Sequence, residues 1–163
     1  MKKITNLAII VSALAMNLSA DTNDFHIGAS SAKIFEKDYT EFNLGYGFNF
    51  NTQNNIHVGI AFDIAFGNVD LEDNKSAVVV TTGGDLKIGY ALFENKLALY
   101  AIGSGAYQSV DSLNAVGFGY GGGVDYQITK NIALNVEYKT YDMTSKGTDY
   151  TYEKINSNLK YTF

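Results

Sequence analysis

Residues 150–163 read YTYEKINSNLKYTF, and their alternation decides how the rest of the chain is read. Counting back in twos, Phe163, Tyr161, Leu159, Ser157 and Ile155 share one face. Thr162, Lys160, Asn158, Asn156 and Lys154 share the other. One face is mainly apolar with two aromatics at its foot, and the other is wholly polar. Strict period-two alternation is the mark of a β-strand between two different environments. Lipid outside and a polar interior inside would produce it, with the chain ending on the aromatic side.

Working back from this strand, seven more segments show the same period. The first, Phe25 to Ala32, sets Phe25, Ile27 and Ala29 against His26, Gly28 and Ser30. In the second, Tyr39 to Phe50, Phe42, Leu44, Tyr46, Phe48 and Phe50 oppose Glu41, Asn43, Gly45, Gly47 and Asn49. In the third, from Ile56, every even position to Phe66 is Ile, Val or Phe, against His57, Gly59, Ala61, Asp63 and Ala65. The fourth, Ala77 to Leu92, opposes Leu86, Ile88 and Tyr90 to Asp85, Lys87 and Gly89. The fifth, Leu97 to Gln108, has no clear parity, because Leu97 and Leu99 compete with Tyr100 and Ile102. The sixth, Ala115 to Ile128, alternates Val116, Phe118, Tyr120, Val124 and Tyr126 with Gly117, Gly119, Gly121, Gly123 and Asp125. The seventh sets Ile132, Leu134, Val136 and Tyr138 against Ala133, Asn135, Glu137 and Lys139.

The N-terminus is different. A basic start (Lys2, Lys3), an apolar run from Leu7 to Leu18 and the small residues Ser19-Ala20 have the build of a secretory signal peptide, residues 1–20. The run is too short for a spanning helix, which needs about 20 residues. The remaining domain, 21–163, holds ten lysines and no arginine against 17 carboxylates. So acidic a chain excludes nucleic acid as a partner, since that binding rests on neutralising phosphates. There is no cysteine, hence no disulfide framework, and no proline, which suits long unbroken strands. No segment beyond the leader is a spanning helix, so a membrane position requires a closed barrel.

The connections after the second, fourth and sixth segments are three to five polar residues. The other four, near 33–38, 67–76, 109–114 and 142–149, read as longer and more charged. Short turns at one end and longer loops at the other fit an outer-membrane barrel with both termini in the periplasm. A soluble eight-stranded barrel would turn its apolar face inward. Here an inward aromatic face would overfill so small a barrel, and the glycines suit only a crowded interior. The fold class expected is all-β, an eight-stranded antiparallel up-and-down transmembrane β-barrel.

On the glycine-rich Gly117–Tyr126, on Ile132–Tyr138 and on the terminal Tyr161-Thr162-Phe163, the domain resembles a known family. It is similar to the small eight-stranded outer-membrane proteins of Gram-negative bacteria, of the opacity-porin, OmpX and attachment-invasion-locus type. The resemblance implies insertion among membrane lipid and lipopolysaccharide in the bacterial outer membrane, as a monomer. It also implies that Tyr161 and Phe163 form the assembly signal read by the outer-membrane assembly machinery.

Inward parity carries Glu41, Asp63, Asp85, Lys87, Asp125, Glu137, Lys139, Lys154 and Lys160 into the interior. An eight-stranded barrel is just filled by side chains, so these charges must pair; Glu137 and Lys139 can meet Lys154 or Lys160, depending on register. Gly117-x-Gly119-x-x-Gly122 matches a dinucleotide fingerprint only formally, because strand and not helix follows it. The inward glycines instead leave room for bulky side chains opposite. His26 and His57, the two histidines, lie toward the end away from the outer loops, and neither has a hydroxyl residue two positions away. No catalytic residues, cofactor or metal are expected. Asp70, Glu72 and Asp73 lack the glycine and spacing of a calcium loop and read as a solvated acidic loop. The function expected is a plugged, non-enzymatic envelope protein. A narrow channel for ions or small solutes, and an adhesin or ligand binder acting through the outer loops, are the alternatives.

Overall fold

The computed structural model describes residues 22–51, 55–70, 76–111, 113–145 and 147–163. The leader read in residues 1–20 lies outside them. Among the described residues the strands are β1 (Thr22–Ile34), β2 (Lys37–Asn51), β3 (Ile56–Asp70), β4 (Ser76–Leu92), β5 (Leu97–Val110), β6 (Leu113–Gln127), β7 (Ile132–Ser145) and β8 (Thr148–Thr162). Each pairs antiparallel with its neighbours in sequence, and β1 pairs with β8 to close the barrel. The strand that ends the chain, β8, is thus the closing strand. Its end is fastened by Asn23 N–H to Phe163 O (3.2 Å) and Phe163 N–H to Asn23 O (3.0 Å). Closure leaves no unpaired strand edge, which hydrocarbon would not tolerate. A strand of 14 residues such as β5 is roughly 46 Å long at ~3.3 Å per residue, and tilted by ~40° it covers a hydrocarbon core of ~30 Å.

The two faces part as the alternation requires. Ile88, Phe62, Phe118 and Ile155 are exposed on the outside, while Glu41, Asn43, Asp85 and Lys139 are buried within. In β5 the ambiguity resolves with Ala98, Tyr100, Ile102, Ser104 and Gln108 inward and Leu97, Leu99, Gly103, Gly105 and Tyr107 outward. Leu97, Leu99 and Tyr107 keep the outward face apolar, with Gly103 and Gly105 between them opposite Tyr120 and Phe118. One outward assignment departs from expectation: Phe50, at the end of β2, is buried.

The loop asymmetry is the reverse of that expected. β1–β2, β5–β6 and β7–β8 are joined by only two residues each, and β3–β4 by five. The turns at the end holding both termini have four residues each. The charge read as loop belongs to strand: Asp142 pairs with Thr151, and Thr144 with Asp149. These stretches rise above the apolar band, where outward positions face water or headgroups and the alternation of polarity disappears. The tight β1–β2 turn places Phe35 (φ 48°) and Glu36 (φ 61°) in the left-handed region, as two-residue hairpins demand. Of the acidic loop, Asp70 ends β3 and the rest lies outside the described residues.

The glycines of β6 shape the interior. Gly117, Gly119, Gly121 and Gly123 stand opposite Met143, Tyr141, Lys139 and Glu137 of β7. A Cβ on Gly119 would lie 2.5 Å from the Tyr141 ring, and one on Gly123 2.6 Å from the Tyr100 ring. Real Cβ atoms do not approach so closely, so this column cedes its volume to the large side chains of β5 and β7.

Candidate functional site in the barrel interior

The interior is layered along its axis. At the two-residue-hairpin end lies an apolar plug of Ile34, Val69, Val79, Val110, Met143, Tyr141 and Tyr152, with smaller alanines between. Tyr141 and Tyr152 stack with ring centroids 5.3 Å apart. Beneath the plug, Tyr39 and Tyr152 donate their hydroxyls to the two oxygens of Glu41 (2.8 and 2.7 Å). Glu41 is 1% exposed and its charge is met by these hydrogen bonds. A buried carboxylate needs such donors because it has left its hydration behind.

The middle layer is ionic. Lys139 bonds to Asp85 and lies 3.2 Å from Glu137 and 3.7 Å from Asp63. Lys154 reaches Asp63 at 3.3 Å, and Lys87 reaches Glu137 at 2.5 Å. Ser104 donates to Asp85 and stands 2.9 Å from the Tyr141 hydroxyl, joining this layer to the plug. Tyr100 OH lies 2.9 Å from both Asp125 and Glu137, while Asn135 donates to Asp125 at 2.6 Å.

The layer nearest the termini is more open. Lys160 pairs with Asp125 (2.8 Å) and Asp24 (3.3 Å). Asp24 also meets His26 Nδ1 at 3.1 Å and accepts from Asn49 at 2.8 Å. A vestibule of about 330 Å³ opens here, with His57, Asp125, Lys160, Glu94 and Lys130 among its walls.

All nine charges expected from inward parity lie inside the wall, eight of them in ion pairs and Glu41 in tyrosine hydrogen bonds. The partners differ from the expectation based on adjacent strands. β7 and β8 set Lys139 opposite Lys154, two like charges, so Lys154 turns to Asp63 of β3. Glu137 meets Lys87 of β4 and its own strand's Lys139, and Lys160 meets Asp125 of β6 and Asp24 of β1. Pairing across the lumen wins because the barrel is narrow. Asp24, Tyr100 and the plug tyrosines were missed, while His26 was placed on the polar face without its Asp24 partner. Asp24 and Tyr152 had a signal, since each shares the parity of inward neighbours, His26 and Lys154. His26 forms a His–Asp pair, but the ring abuts Gly45 and not a hydroxyl. Tyr161 and Phe163 stand outside at the terminal end, more than half exposed, with ring centroids 6.3 Å apart.

A family model described as "Outer membrane protein beta-barrel domain" matches residues 6–163. The chain belongs to that family. It is an integral protein of the bacterial outer membrane; we take the end carrying both termini as periplasmic, which makes the hairpin end the outer one. Among solved structures it is similar to Ail of Yersinia pestis bound to the heparin analogue sucrose octasulfate, with TM-score 0.60 and 16% identity over 87% of this chain and 98% of that one. Neisserial surface protein A follows at TM-score 0.54 and 14% identity, covering 87% and 96%. The N-terminal barrel of Pseudomonas aeruginosa OprF matches at TM-score 0.51 and 12% identity, covering 88% and 100%. At such identities they share the fold. No curated protein sequence matches the chain.

Proposed function

We propose that this family member is a sealed, non-conducting and non-enzymatic barrel that contributes to envelope structure or surface contact. The observation that carries this reading is the layered filling: an apolar plug under the outer rim, backed by an ion-paired layer. An ion crossing it would shed its hydration against Ile34, Val79 and Met143, a barrier of the dewetting kind. The vestibule supports a dead end open to the periplasm. The two-residue hairpins disfavour adhesion through long loops. Ail is bound to a polyanion, whereas here, among the described residues, the outer rim carries Glu36, Asp38, Asp70, Asp111, Asp142, Asp149 and Glu153 against Lys33 and Lys37. Within the same reading, Tyr161 and Phe163 are the residues offered to the outer-membrane assembly machinery, and lipopolysaccharide is the surrounding outer leaflet. Refolded protein in planar bilayers tests the seal. No reproducible channels are expected from the wild type, and openings from Tyr141→Ala/Tyr152→Ala, which removes the stacked rings of the plug. Regular channel openings in the wild type would reject it.

A further inference from the structure

At the outer rim, where β1 meets β8, a cleft of about 230 Å³ is lined by Lys33, Phe35, Glu36, Tyr150, Thr151 and Glu153. It lies outside the lumen and does not depend on whether the lumen conducts. One wall is aromatic: the Phe35 and Tyr150 rings are 4.5 Å apart and tilted by 42°. Tyr150 is held from behind, its hydroxyl donating to the buried Gln108 at 2.8 Å, and Gln108 in turn to Thr81 at 2.9 Å. The other walls carry both charge signs. Lys33 and Glu36 pair at 2.8 Å, and Glu153 accepts from Tyr138 at 2.9 Å. With Glu36 largely exposed, that ion pair contributes little to stability and yields readily to a ligand.

Phe35 is an odd residue for its place. At φ 48° the backbone favours Asn or Gly, and a bulky aromatic is disfavoured there. Its ring packs on Tyr150 and lines this cleft while still 37% exposed.

We infer that the Lys33–Phe35–Glu153 cleft binds a neutral sugar ring at the outer membrane surface. A pyranose has an apolar C–H face that lies against an aromatic ring, and a rim of hydroxyls that each donate and accept. Lys33 supplies donors, Glu36 and Glu153 supply acceptors, and Thr151 supplies both. A sulfated or phosphorylated ring would meet two carboxylates against one ammonium and is repelled. The ring can come from a free surface glycan or from a glycolipid headgroup beside the rim in the outer leaflet.

The test uses full-length mature protein refolded in a sugar-free zwitterionic detergent, titrated with chitotriose and maltotriose, with sucrose octasulfate for contrast. Saturation transfer from protein to sugar protons is the readout. Saturable binding of a neutral oligosaccharide is expected, weakened at least about tenfold by Phe35→Asn. That substitution suits the left-handed backbone. Phe93→Asn, a like turn position at the opposite end with φ 51°, leaves binding unchanged. A parallel arm in nanodiscs with and without lipopolysaccharide reads transfer to the lipid's own sugars. Transfer in that arm alone, lost in Phe35→Asn, assigns the glycolipid source and supports the proposal. Absence of transfer in both arms, equal binding by Phe35→Asn in folded form, or preference for the sulfated sugar would overturn it.

Discussion

Removing the ammonium of Lys139 tests the ionic layer most sharply. Lys139 is 1% exposed and serves three carboxylates, Asp85, Glu137 and Asp63. In Lys139→Met the loss is unequal. Glu137 keeps Lys87 and Asp63 keeps Lys154, but Asp85 retains only the hydroxyl of Ser104. Breaking a buried pair from one side typically costs about 3–5 kcal/mol, because a charge is left in low dielectric without its partner. With two of three carboxylates still paired, the low end applies. About 3 kcal/mol lowers the folding equilibrium constant roughly 160-fold. Removing the orphaned charge as well, in Lys139→Met/Asp85→Leu, should recover most of the loss, since replacing a whole buried pair by apolar groups is often near neutral. The protein has no tryptophan. Urea unfolding in lipid vesicles is therefore followed by circular dichroism and by the mobility difference between heated and unheated samples in detergent gels. If the single variant unfolds within about 1 kcal/mol of wild type and the double variant is worse, the layer is not held by these charges.

The other predictions concern packing, hydrogen bonding and assembly. Gly119→Ala forces a methyl into the Tyr141 ring and should cost about 1–3 kcal/mol by overpacking, whereas Gly103→Ala, with open space around it, should leave stability unchanged. Vesicle unfolding of both variants checks the pair; equal effects would contradict the role given to the β6 column. Glu41→Leu strips the acceptor from the Tyr39 and Tyr152 hydroxyls, at about 1–3 kcal/mol for each buried group left unsatisfied. Adding Tyr39→Phe and Tyr152→Phe should restore stability, and failure to do so would point to Glu41 acting through something other than these bonds. Phe163→Ala keeps the backbone bonds to Asn23 but removes the exposed ring. It should slow insertion into vesicles carrying the assembly machinery without altering the unfolding midpoint; unchanged insertion would dismiss the ring as a signal.

The outer wall was legible strand by strand because an outward position has one requirement, contact with lipid, that each strand meets alone. Phe62, Ile88 and Phe118 carry that requirement in their own parity. β5 is the exception that shows the rule's limit. Its outward Gly103 and Gly105 carry no apolar side chain, so the apolar signal of β5 is split between Leu97 and Leu99 outside and Tyr100 and Ile102 inside. No count within β5 could decide between them. The hairpin ends failed for a related reason. Lys33, Asp142 and Asp149 lie above the lipid band, where strand and loop carry the same polar residues and pairing alone tells them apart.

The interior obeys a different logic, because an inward side chain is chosen against residues from several strands at once. Tyr141 is possible only because β6 offers Gly119, and its placement at the plug rests on Tyr152 of β8 stacking from the other side. Lys154 has an acidic partner only because β3 sends Asp63 across the lumen, since its neighbour in register is Lys139. Parity could therefore bring these charges inside without saying which would meet. That separation bears on function as well. Substitutions on the outer wall need only remain apolar, whereas a change at Lys139, Gly119 or Glu41 must be answered on another strand. On the proposed reading of a sealed lumen, such mutually dependent choices tie the seal to the stability of the barrel, so variants that open it should also be those that weaken it.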